Sequence, residues 1–104
     1  MEVVSSKNGV PIRLTEERWS HIVERHLVLA GTRALVVETL EDPEVIQRGD
    51  TDELLAARFY QDTPLGEKWM VVAYRETSPE DGFIITAYLA RRLSRTKEEL
   101  WRRS

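Results

Sequence analysis

The hydrophobic pattern of this chain changes character at Asp42-Pro43, and that change restricts the fold more than any other feature. From Thr15 up to it, apolar residues recur with helical spacing; after it, short apolar runs follow one another with few residues between them. The runs are Glu44 to Arg48, Leu54 to Gln61, Lys68 to Arg75 and Gly82 to Ala90. Gly49-Asp50, Thr63-Pro64-Leu65-Gly66 and Ser78-Pro79-Glu80-Asp81-Gly82 separate them, all turn-forming sequences. Connections this short join antiparallel neighbours, because a parallel return needs a crossover of roughly a dozen residues. A four-stranded antiparallel meander is predicted.

The N-terminal part reads as a hairpin and two helices. Glu2 to Ser5 and Pro11 to Leu14 flank Asn8-Gly9, a strong turn signal because both residues tolerate positive φ. Thr15 is placed to cap a helix through about Leu29, with Glu16 and Glu17 at the positive end of its dipole. Trp19, Ile22, Val23, His26 and Ala30 fall on its predicted buried stripe, while His21 points to solvent. Gly31 breaks that helix. A second, capped by Thr32, runs to about Glu41 with Leu35, Val36, Thr39 and Leu40 on one face. Arg91 to Ser104 is expected to form a short C-terminal helix, capped by Ser94 or Thr96 and anchored by Leu100 and Trp101. The predicted fold class is α+β: a hairpin and two helices packed on the four-stranded sheet, in one domain spanning residues 1–104.

Size and composition agree with a single core: 104 residues with 41% hydrophobic and 32% charged side chains are an ordinary globular balance. Cysteine is absent, which excludes disulfides, thiolate zinc sites and cysteine nucleophiles. No leader-like start and no long apolar run stand out, so a cytoplasmic protein without membrane contact is expected. The net charge of −3 weighs against a nucleic-acid partner, but the charges are unevenly spread. Acids gather between Glu38 and Glu53, and cations between Arg91 and Arg103.

Strand alternation supplies the candidate site. In the last strand Phe83, Ile85, Ala87 and Leu89 read as core, leaving Ile84, Thr86, Tyr88 and Ala90 on the open face. In the strand from Leu54, the residues Leu55, Ala57 and Phe59 read as core and Ala56, Arg58 and Tyr60 as open. Lys68, Tyr74 and Arg75 border the same surface if the strand register, which the sequence does not fix, brings them there, and Arg91 follows the last strand. Arginine, lysine, tyrosine, threonine and histidine without paired carboxylates suit phosphodiester chemistry, in which cations stabilise charge on phosphate oxygens. Cleavage of RNA by its own 2′-hydroxyl needs a base, an acid and a cation, and His26 is the natural acid or base. The competing structural reading makes Tyr and Thr strand formers, Arg58 a snorkelling side chain, and His26 a partly buried residue holding a carbonyl. His21 and His26 are five positions apart and do not share a helix face, so no metal site is expected, and no nucleotide-cofactor or serine-hydrolase motif occurs.

In combination, His21-Ile22-Val23-Glu24-Arg25-His26, the helix end at Glu41-Asp42-Pro43 and the strand Phe83-Ile84-Ile85-Thr86-Ala87-Tyr88 resemble the barnase–EndoU–colicin–RelE-like (BECR) nuclease superfamily. The likeness is to its small phage-associated and stand-alone members. It implies metal-independent RNA cleavage by a toxin-type endoribonuclease restrained by an antitoxin protein, with Arg25, His26 and Thr86 at the matching positions. Together with the face geometry this gives His26, Arg58, Thr86 and Tyr88 as catalytic candidates, and Arg25, Tyr60, Lys68 and Arg91 as substrate-binding candidates. The chain departs from the pattern in its acidity and in carrying Leu27 where related sequences often have proline. A protein-interaction module that kept this fold and lost the activity is the second reading. Homodimer formation through Trp69 and Trp101 is a third.

Overall fold

The computed structural model describes residues 1–104. The chain runs β1 (Glu2–Ser5), β2 (Pro11–Leu14), α1 (Glu16–Arg25), a 3-10 turn (Leu27–Leu29), α2 (Arg33–Glu41), β3 (Val45–Arg48), β4 (Leu54–Thr63), β5 (Gly66–Ser78), β6 (Asp81–Ala90) and β7 (Glu99–Arg102). The strands form one sheet in the order β1-β2-β6-β5-β4-β3-β7, antiparallel throughout except for β2 beside β6.

The expected sheet of four strands is therefore corrected to seven, and the expected C-terminal helix to a strand. Both corrections come from pairings between segments remote in sequence, which local patterning does not register. β2 joins β6 through Ile12↔Gly82 and Arg13↔Phe83. There a Cβ on Gly82 would lie 2.5 Å from both the Arg75 carbonyl oxygen and Ile12 Cδ1, so glycine is what permits the approach. Arg13 grips Asp81 with two hydrogen bonds of 2.9 and 3.1 Å beside this junction. At the other edge, Ser94 does make cap-like contacts, its Oγ accepting from the backbone N–H of Thr96 and Lys97. No helix follows, because a segment whose apolar anchors are only Leu100 and Trp101 has no stripe to bury. β7 instead pairs with β3, whose free edge would otherwise hold unpaired peptide groups.

Both helices lie on one face of the sheet. Val36, Thr39 and Leu40 of α2 and Ile22 of α1 meet Ala56, Met70, Val72, Tyr74, Ile84 and Ala87 in the main core. The opposite face carries a smaller cluster of Leu55, Ala57, Val71 and Ala73, flanked by Trp69, Tyr88 and Leu93, the last from the irregular strap between β6 and β7. The sheet is coiled strongly enough that Lys7, in the β1–β2 turn, lies 4.7 Å from the ring centre of Trp101 in β7, at the other end of the strand order. No helix is long and apolar enough to cross a membrane.

Candidate functional site

Thr15 caps α1 as its sequence position suggests, accepting the Arg18 N–H at 3.0 Å. The helix stops at Arg25, short of the expected Leu29. His26 is its C-cap: the backbone N–H still reaches the Ile22 carbonyl at 2.9 Å, but φ −135° and ψ 76° turn the chain out of the helix. The following 3-10 turn buries Leu29 and leaves Leu27 exposed. Thr32 precedes α2, though its hydroxyl donates back to the Leu29 carbonyl at 2.7 Å and does not cap.

β2 pairs only with the start of β6, so α1 comes to lie beside β6 beyond Phe83. The β6 register shifts between the Ala73↔Thr86 and Tyr74↔Ile84 pairs, leaving Ile85 as an extra, bulged residue. A notch of about 320 Å³ opens between helix and strand, lined by Arg18, His21, Arg25, His26 and Thr86 over Ile22 and Ile85. The His26 ring also approaches Tyr88, with ring centres 6.4 Å apart and planes tilted by 38°. Burial holds the Tyr88 hydroxyl above its usual pKa; Lys97 opposes this, while Glu53 and Asp50 add to it. Tyr88 is thus a neutral hydroxyl at physiological pH.

The structure brings together Arg25, His26, Thr86 and Tyr88, and separates them from the other expected residues. Arg58 and Tyr60 lie on the helix-covered face with Ala56, the reverse of the face the alternation suggested. The physical reason is that β4 is apolar on both sides, and α2 offers partners for exactly these two polar groups. Arg58 Nη1 donates to the Asp42 carbonyl at 2.8 Å and to its carboxylate at 3.3 Å, at the C-terminal end of α2. The Tyr60 hydroxyl donates to the Leu35 carbonyl at 3.3 Å and shares a hydrogen bond with Thr39, and burial pushes its pKa to about 12. Lys68 Nζ donates to the carbonyls of Leu65 and Glu67. Arg91 is exposed just beyond β6. Trp69 packs edge-on against Phe59 at 5.6 Å.

Sequence reasoning missed Arg18 and set His21 aside. Arg18, His21 and Arg25 are spaced three and four apart, which puts them on one stripe of α1, and that spacing was the available signal. The five-residue separation of the two histidines ceases to matter once His26 has left the helix.

A second, larger hollow of about 540 Å³ lies on the other side of Tyr88, between the sheet and the strap. Arg92, Arg95 and Lys97 line it together with Leu55, Val71 and Leu93. Its cations matter because most arginines here are already engaged. Arg13, Arg33, Arg48, Arg58, Arg102 and Arg103 all hold carboxylates, and Lys97 holds Asp50. Arg75 donates to the Thr51 carbonyl. The arginines left without any side-chain hydrogen bond or ion pair are Arg18, Arg25, Arg91, Arg92 and Arg95, and four of these line one of the two adjoining hollows. No protein-family model, curated protein or solved structure matches the chain.

Proposed function

We propose that the chain is a metal-independent ribonuclease of toxin type, with its reacting centre in the notch between α1 and β6. The observation that carries this reading is the concentration of unengaged arginines, two histidines and a threonine in that notch, within a chain that is acidic as a whole. Net charge sets long-range attraction, but a phosphate is held by local donors, and spare guanidinium groups suit it best. The resemblance to BECR nucleases points to the same class through Arg25, His26 and Thr86, which line the notch.

In the proposed reaction the RNA 2′-oxygen attacks the adjacent phosphorus and the 5′-oxygen of the next nucleotide leaves. One imidazole takes the 2′-hydroxyl proton, and the other, entering as imidazolium, gives a proton to the leaving oxygen. The products are a 2′,3′-cyclic phosphate and a free 5′-hydroxyl. Arg18 and Arg25 stabilise charge on the non-bridging oxygens, and the neutral hydroxyls of Thr86 and Tyr88 donate to the same phosphate. Purified protein incubated with total RNA in EDTA should generate cyclic-phosphate ends, and His26→Ala should suppress them. Absence of cleavage, or cleavage untouched by that change, removes the proposal.

A protein-interaction module is the second reading, favoured by one feature: Leu27, 76% exposed, borders a shallow hollow with Trp19, Val23 and Ala30 on the outer side of α1. For the first reading the same surface is a candidate seat for an antitoxin, and the cytoplasm is the expected compartment.

A further inference from the structure

The hollow under the strap has two properties that a nucleotide site needs: an apolar floor broader than that of the notch, and a tyrosine wall. Leu55, Val71 and Ala90 form its base and the Tyr88 ring one side. Its volume lies within the usual range for small-molecule sites, roughly 300–1,000 Å³. Gln47 lines it and anchors the strap. Its Nε2 donates to the Ser94 carbonyl at 2.9 Å, tying the strap to β3 at one point. Its Oε1 accepts no hydrogen bond within the chain and is left as an acceptor for a base edge. Arg92 and Arg95 stand at the rim without internal partners, whereas Lys97 is drawn to Asp50 at 2.7 Å. Tyr88 lines the groove and its ring centre lies 6.4 Å from that of His26, which lines the notch, so the two hollows are close enough for one strand to reach both.

We infer that this groove takes one unpaired nucleotide of an RNA strand next to the phosphate held in the notch, its base stacked on Tyr88 and its backbone phosphate on Arg92 and Arg95. The inference rests on the ribonuclease reading for its choice of ligand class. The charge complementarity is specific: a nucleotide supplies an apolar face for the floor and an anion for the rim, whereas an apolar peptide leaves both arginines unanswered. It also fixes the form of the substrate. A base lying beneath the strap has left its stack, so the RNA must be single-stranded at that position.

Binding can be measured apart from cleavage with a 2′-O-methyl hexanucleotide, whose blocked oxygen cannot attack, in EDTA by fluorescence anisotropy. The intact chain should bind the single strand at least about tenfold more tightly than the same strand annealed to its complement. Ala90→Trp, which fills the groove, and the exposed double change Arg92→Glu with Arg95→Glu should each weaken single-strand binding about tenfold or more. The charge-reversed protein should also show a shallower dependence of affinity on salt. The double change, at solvent-exposed positions, serves as the folded control should Ala90→Trp lower thermal stability. Equal affinity for strand and duplex, or full binding by the charge-reversed variant, overturns the inference. If His26-dependent cleavage of ordinary RNA persists unchanged in both variants, the groove assignment falls alone. If the single strand binds with these sensitivities but ordinary RNA is not cleaved, the groove stands and the catalytic reading falls.

Discussion

The two faces of this sheet carry the same kinds of polar residue with opposite fates. Beneath α2, Tyr60 and Thr39 share a hydrogen bond and Arg58 Nη1 holds Asp42 at the end of the helix, so all three are committed to joining helix and sheet. On the other face and its α1 border, Thr86, Tyr88, Arg25 and Arg92 carry donors that meet no protein partner. Residue type alone therefore does not separate a fold-holding arginine from a substrate-binding one. What separates them is whether the side chain already holds a protein partner after folding, and that depends on which helix or strap lies over each face.

Substitutions can sharpen this contrast. The largest expected effect is on activity: His26→Ala should lower RNA cleavage by about 10²–10⁴-fold, the usual worth of a positioned acid or base, while the melting temperature barely moves. Next comes Gly82→Val, which forces side-chain atoms into the Arg75 carbonyl and Ile12 and should destabilise the fold by about 1–3 kcal/mol in urea titration. Tyr60→Phe should cost about 0.5–1.5 kcal/mol, because the lost hydroxyl bridges β4 to α2, and should leave cleavage within about twofold. A marked loss of activity in that variant would break the comparison between the faces.

Acid should have the smallest and most diffuse effect. Arg13 holds Asp81, Arg33 holds Glu16 and Arg102 holds Glu99 below their ordinary carboxylate pKa values, through hydrogen bonds first and charge second. Folded-state values lower than unfolded ones mean that these pairs stabilise the protein above the ordinary carboxylate range, near pH 4–5, and that the contribution fades as pH falls through the folded values. All are solvent-exposed. The melting temperature should accordingly decline gently below about pH 4.5, and less so in high salt.

Much of the chain's local structure was legible. Asn8-Gly9 marked the β1–β2 turn, Thr15 the start of α1, and Asp42-Pro43 the end of α2, because each is set by chemistry within a few residues. What was not legible was set from afar. The parallel β2–β6 pairing and the β3–β7 pairing depend on partners dozens of residues away. The facing of β4 was ambiguous because Leu55 and Ala56 are equally suited to either side, and only the Asp42 and Thr39 partners decide it. The bulge at Ile85 moves Ile84 into the core beside Ala87, which strict alternation forbids. For the site, the pairing of His26 with Thr86 and Tyr88 could be anticipated, whereas the exit of His26 from α1, which admits His21 and Arg18, could not.

The most direct measurement compares one residue type on the two sides of the molecule: cleavage of single-stranded RNA in EDTA by Arg25→Ala and by Arg58→Ala, each with a thermal melt. Arg25→Ala should lose at least about tenfold in rate and melt like the parent. Arg58→Ala should cleave normally and melt at a lower temperature. Loss of cleavage in Arg58→Ala with Arg25→Ala fully active would show that the covered face, and not the notch, meets the RNA.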